Sequence, residues 1–185
     1  ADHMIIQRSS NGLHENNVSF TIRDTYSGVG YSCPRRSRTS ESNAADLKHF
    51  VGRGGESRPK ILVKSDAADE ITRAVKDIGW LPEPSLPNRF PHNAIHERWI
   101  QTVKSVVRAA VLQSGFPEVI SHWATPFAAI ALSLKQPCPI QPQEKDAAGN
   151  ILEPYRYKSN WTCFKCHHDG EKFDGKRPSF GQLCF

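Results

Sequence analysis

The amino-acid sequence predicts an α/β domain, and three stretches carry that expectation. Residues Val18 to Asp24 (V-S-F-T-I-R-D) alternate apolar and polar in the manner of a half-buried strand. Lys60 to Lys64 (K-I-L-V-K) form a compact apolar run of strand type that leads straight into the acidic start of a helix. From Ala94 to about Gln113, Trp99, Val103, Val106, Val107, Ala110 and Val111 fall at helical spacing on one side. Strands interleaved with helices point to a sheet with crossover connections.

Taken in order, Ala1 to Gln7 is a short, partly apolar segment ahead of the alternating strand. The turn-like Tyr26 to Tyr31 then leads to a second short segment, the start of a strand meander. After the polar stretch Arg35 to Asn43, Ala44 to Val51 is helix-compatible, and Gly52, Gly54 and Gly55 stop it. Asp66 follows the Lys60 to Lys64 run at a strand-to-helix junction, where sites in α/β sheets collect, and Ile71 to Ile78 reads as the helix. Gly79 to His92 holds Pro82, Pro84, Pro87 and Pro91, which forbid a long helix and favour an extended, mobile loop. On the long helix, Glu97, Gln101, Lys104 and Arg108 step along the side opposite the apolar stripe. Gly115 and Pro117 end it, and Trp123 to Leu134 supplies another apolar helix. The expected organisation is a core over residues 1–136, a linker over 137–154 and an irregular appendage over 155–185.

The 185 residues suffice for one ordinary domain with a tail. The balance of 24 Lys and Arg against 19 Asp and Glu, a net charge of +5, suits contact with a polyanion without deciding it. No run of about 18 apolar residues is present to span a bilayer, and the start lacks a basic region followed by an apolar stretch. The expectation is a soluble, unsecreted protein with no membrane partner. Five cysteines, irregularly spaced, fit a reducing compartment better than a disulfide framework. The start without Met and the end in mid-pattern suggest a piece of a longer polypeptide.

Three carboxylates stand out by position: Asp2 in the first candidate strand, Asp66 after a later one, and Glu97 near the head of the long helix. Singly, each has a plain reading, since an Asp after a strand caps a helix and a Glu in a first turn answers the helix dipole. Together with their surroundings they resemble the catalytic core of retroviral and retrotransposon integrases, in particular copia-like polyproteins. The stretch from Pro87 to Arg98 (P-N-R-F-P-H-N-A-I-H-E-R) resembles that family's proline and asparagine segment with Glu-Arg opening a long helix. Leu62 to Glu70 (L-V-K-S-D-A-A-D-E) resembles its second-aspartate motif, and Asp24 to Pro34 the hairpin after its first strand. Ala45 to Val51 resembles the helix after that hairpin, and Ser114 to Pro117 with Trp123 to Pro126 the segment after the catalytic helix. Phe173 to Leu183 is similar to the short region that follows the core in such polyproteins.

The resemblance implies an RNase H-like fold, a central mixed sheet flanked by helices, carrying an Asp, Asp, Glu triad. Asp24, in the conspicuous D-T-Y-S-G, belongs to the family's second strand or its hairpin, so the first-strand Asp2 is the better match for the first member. The implied catalytic and metal-binding set is Asp2, Asp66 and Glu97, with two Mg2+ (or Mn2+) ions as cofactors. The ions would serve phosphoryl transfer, activating the attacking oxygen and stabilising the leaving one. Element-end and target DNA are the implied partners, held by Asn93, Gln101, Lys104 and Arg108, with Lys104 at the position that commonly contacts element-end DNA. A homo-oligomer working in the nucleus is likewise implied. The chain departs from the family at Ala67, where Asn is common, at Ala94, where Gly is common, and in a shorter interval between Asp66 and Glu97. An alternative is a catalytically silent domain of a transposon polyprotein that binds nucleic acid or assembles with partners.

Cys163 to His168 (C-F-K-C-H-H) matches the attachment pattern of c-type haem, but nothing here supplies the export route haem attachment wants, and no haem is expected. Cys163, Cys166 and a nearby His have ligand types acceptable for zinc, yet no second pair completes a closed site. Chance placement in a surface segment is the plain alternative. His92 and His96 read as loop and helix-face residues.

Overall fold

The structure, a computed structural model, describes residues 1–5, 15–52, 61–85, 93–138, 161–168, 171–175 and 178–182. Its strands form two sheets. In the first, β1 (Asp2–Met4), β2 (Val18–Arg23) and β3 (Gly30–Arg35) run antiparallel with β2 in the middle, Asp2 opposite Thr21 and Arg23 opposite Gly30. In the second, β4 (Leu62–Ser65) pairs in parallel with β5 (Leu81–Pro84). The Ala1 nitrogen donates to the Lys64 carbonyl at 2.6 Å, which brings the head of β1 beside β4.

Strand alternation sends β2 residues to opposite faces. Phe20 and Ile22 enter an apolar cluster with Ala1, Leu47, Val63, Ile71, Ala74 and Val75, under α1 (Ser40–Val51) and α2 (Asp69–Asp77). Ser19 and Thr21 face α3 (Ala94–Ser114) and α4 (Ala124–Lys135), where Ser19 Oγ meets His122 Nδ1 and Thr21 Oγ1 meets His96 Nε2. A second cluster joins Met4 of β1 to Trp99, Ile100, Val103, Val107 and Val111 of α3 and to Ala124, Ala128, Ala129 and Leu132 of α4. Helices thus cover both faces of the strands, the arrangement an α/β chain needs to bury a two-sided sheet.

Several elements differ from the sequence reading for identifiable reasons. The helix expected from Ala44 begins at Ser40, because Thr39 caps it by accepting from the Ser42 amide at 3.3 Å. The Pro-rich stretch expected as a loop contains β5. Leu81 donates to Ile61 and Ser85 to Ser65, so the even positions, Pro82 and Pro84, turn their nitrogens away from β4, where no amide proton is required. Residues 86–92 of that stretch, Gly54 and Gly55, and most of the expected linker lie outside the described residues. The described part of the expected appendage packs on the rest. Pro137 bridges Thr162, α5 (Cys163–His167) lies against α4, and Phe180 packs at 5.6 Å between ring centroids on Phe127.

Two contacts between elements are steep. A Cβ added to Gly30 would lie 2.0 Å from Trp99 Cζ2, so the absent side chain of β3 is what lets the α3 indole seat. Arg35 of β3 forks onto Asp46 of α1, with Nε 3.1 Å from Oδ2 and Nη2 on Oδ1, and the Asp46 side chain is only 4% exposed. Gly30→Ala is therefore expected to lower unfolding free energy in denaturant titration by about 1–3 kcal/mol through overpacking. Arg35→Ala, which strands a buried carboxylate, is expected to cost about 3–5 kcal/mol by the same measurement, and replacing both partners by apolar residues much less.

Candidate active site

Asp2 stands at the head of β1 and Asp66 one residue beyond the end of β4, and the contact between those strands sets the two carboxyls close enough for the charge of one to act on the other. Asp2 Oδ1 accepts from the His3 amide at 2.6 Å. Burial, then the negative charge of Asp66, pushes the Asp2 carboxyl up to about 6; the His3 amide and the Ala1 amino group pull the other way. Asp66 Oδ1 is buried and has no hydrogen-bond partner. Neighbouring carboxyls, one with an unanswered oxygen, suit a hard divalent cation such as Mg2+, which prefers oxygen donors.

Glu97 is placed differently. It lies half-buried in the first turn of α3, and its Oε1 accepts from the amide of Asn93, the N-cap residue, at 3.3 Å. The structure brings Asp2 and Asp66 together and leaves Glu97 on the helix cap. Among the described residues no three of His, Cys, Asp and Glu form a group that could hold a metal ion. The head of α3 is nevertheless anchored over β1. His96, only 4% exposed, reaches Thr21 Oγ1 at 3.1 Å, and Thr21 Oγ1 donates to the Asp2 carbonyl at 2.8 Å. Burial first, then the Ala1 amino group and Arg23, hold the His96 imidazole down at about 3, so it is neutral.

The expectation that His96 lies on the helix face is corrected here, since it points inward. The signal was its place on the stripe with Trp99, Ile100 and Val103 rather than with Glu97 and Gln101. The sequence reading also passed over Thr21, whose role depends on cross-strand register with Asp2. Of the residues assigned to DNA, Asn93 is half-buried at the cap, Gln101 and Arg108 are exposed and Lys104 is half-buried. Lys104 and Arg108 line a groove of about 850 Å³ whose apolar wall includes Ile5, Val107, Val111 and Phe116.

Asp24 does other work. It closes the β2–β3 turn, its carboxylate accepting from the Ser27 hydroxyl, from the Ser27 amide at 2.9 Å and from the Tyr26 amide at 3.3 Å. Burial opposes its charge, but these donors prevail and hold the carboxyl below its ordinary 3.8. Cys163 and Cys166 lie with Cys138, all three buried. Burial and a hydrogen bond with Cys138 push the Cys166 thiol up to about 12, and Cys163 Sγ donates to the Pro137 carbonyl at 3.4 Å.

Among the described residues no helix is long and apolar enough to cross a membrane. No protein-family model and no curated protein matches the sequence. Solved structures do match in fold. The catalytic core domain of BIV integrase aligns with a TM-score of 0.51 at 15% identity, over 86% of this chain and 90% of that one. A chain of the simian T-cell lymphotropic virus intasome, solved with the PP2A regulatory subunit B56 gamma, aligns with a TM-score of 0.56 at 14% identity, over 99% of this chain and 57% of its own length.

Because its depressed Asp24 carboxyl favours the folded state when ionised, the chain should lose that contribution as pH falls through the folded value. Asp24→Ala is expected to cost about 1 kcal/mol at neutral pH, the modest worth of partly exposed hydrogen bonds, with the gap from wild type closing below pH 3.8 in denaturant titrations. At the level of fold, the arrangement of strands and covering helices is similar to that of an integrase core: the chain has the RNase H-like α/β fold of retroviral integrase catalytic cores.

Proposed function

We propose that residues 1–136 are the catalytic core of a retrotransposon integrase, which joins element-end DNA to target DNA by phosphoryl transfer. The observation that carries this reading is the Asp2 and Asp66 pair, set at the ends of adjoining strands in an integrase-core fold. Asp2 and Asp66 are the carboxylates that would hold divalent cations, Mg2+ or Mn2+, with Glu97 as the assigned third donor. Two such ions, when bound, neutralise charge on a phosphodiester and make an attacking oxygen more acidic.

The chain's own contribution is placement. Strands that set two carboxyls near one another would leave little reorganisation for an arriving cation. Lys104 and Arg108, with Asn93 and Gln101, hold DNA phosphates, contacts that position a duplex without reading its sequence. Water as nucleophile gives nicking or 3′-end processing, and a DNA 3′-hydroxyl gives strand transfer. This division of labour calls for two DNA ends at once, hence a homo-oligomer, and for a nuclear place of action. Residues 137–154 would then link the core to a region that follows it in the polyprotein.

A second reading, a silent domain that retains nucleic acid, is favoured by one observation: Glu97 is engaged in capping α3. The two readings separate in an assay of the chain on labelled element-end DNA with Mg2+ or Mn2+. The integrase reading expects metal-dependent cleavage or joining that falls by about two orders of magnitude or more in Asp66→Asn and Glu97→Gln, the scale of losing electrostatic stabilisation of the transition state. Salt-sensitive DNA retention with no turnover, unchanged by Glu97→Gln, would establish the silent domain instead.

A further inference from the structure

Asp2 and Glu97 sit on elements that meet, beside the packing of Met4 on α3, through a polar side chain the proposed chemistry does not use. Thr21 lies opposite Asp2 in the β1–β2 register. Its single hydroxyl proton is committed to the Asp2 carbonyl, 2.8 Å away. The 3.1 Å contact between Thr21 Oγ1 and His96 Nε2 can then be a hydrogen bond only if Nε2 carries the proton and donates. The imidazole is further fixed by the Trp99 ring, at 5.6 Å between centroids and an interplanar angle of 31°, and Trp99 is in turn seated by the bare Gly30. A relay of contacts therefore runs from α3 through Thr21 to the main chain of Asp2.

We propose that His96, as the Nε2–H tautomer, is a positioning residue that locks the first turn of α3, and with it Glu97, to the main chain of Asp2 through Thr21. The inference rests on the integrase reading for its functional consequence, but the lock itself is a property of the fold. Two features distinguish it from ordinary core packing. An apolar residue of similar size would fill the same space without holding β1, and the neighbouring stripe positions Trp99, Ile100 and Val103 carry the burial already. The relay also fixes rotation of the helix about its axis, because a single donor on one face must meet a single hydroxyl.

The test pairs an activity-free measurement with a kinetic one. In nitrogen-15 spectra of the wild-type chain, His96 should appear as the neutral Nε2–H tautomer. Thr21→Val and His96→Leu should each speed amide exchange at Glu97 and Arg98 about tenfold by freeing the local opening, while the amides of Val107 and Val111 change little. In divalent-dependent DNA cleavage, the same two substitutions should raise the metal concentration for half-maximal rate about tenfold, the usual scale for a residue that orients a ligand, with the KM for DNA little changed. Gln at position 96, which keeps an N–H near the place of Nε2, and Ser at position 21 should restore most of both effects, and the double change should be no worse than either alone. An Nδ1–H tautomer, or exchange at Glu97 indifferent to Thr21→Val, would overturn the lock. Loss spread equally over kcat, KM and metal dependence, with no rescue by Gln, would reduce His96 to packing. Should the wild-type chain fail to cleave at all, the functional reading falls while the spectra and exchange still decide the lock.

Discussion

Two half-buried carboxyls, Asp2 and Asp66, are brought near one another where β1 meets β4, and partial burial adds to the cost of charging Asp2. A neighbouring like charge disfavours the ionised form of a carboxyl. The Asp2 carboxyl, raised to about 6, makes the direction explicit: the folded state holds its proton more tightly than the unfolded chain, so stability falls as pH rises from the ordinary value of 3.8 to that raised value. The surrounding structure must hold the pair together, and most of what is built around it does so. The two apolar clusters fix β1 from both faces, through Ala1 on one side and Met4 on the other.

The residues beside the pair divide the work by strand alternation. His3 points to the opposite face from Asp2, where its Nε2 meets Asn43 of α1 at 3.2 Å and its Nδ1 lies 3.8 Å from Glu70 of α2. Asp2 is thus held from behind by two helices and from in front by Thr21 and α3. Neither set of contacts touches the unanswered Asp66 oxygen.

Much of this was legible beforehand because it is local. The alternation of Val18 to Asp24, the acidic residue after a short apolar run and the stripe on the long helix each depend on neighbours close in sequence, and each has its element in the structure. The parts that were not legible depend on partners far away. β5 was hidden because prolines discourage a strand, and only the parallel register with β4 reveals that their nitrogens face outward. Thr21, His96 and Cys138 acquire their roles from residues 19 or more positions distant, at Asp2, Thr21 and Cys166, which no local pattern encodes. Glu97 had a plain place in the first turn and a plain dipole reading, and the structure has it accepting from the Asn93 amide at the cap.

The account turns on the claim that the aspartate pair is a cation site whose charge destabilises the fold until a cation occupies it. Thermal unfolding of the wild-type chain and of Asp66→Asn, with Mg2+ or with a chelator at neutral pH, tests that claim without any need for turnover. The account predicts that Mg2+ raises the wild-type midpoint by mass action, that Asp66→Asn is more stable than wild type in chelator, and that Asp66→Asn gains nothing from Mg2+. A wild-type midpoint indifferent to Mg2+, together with an Asp66→Asn midpoint below wild type in chelator, would contradict it.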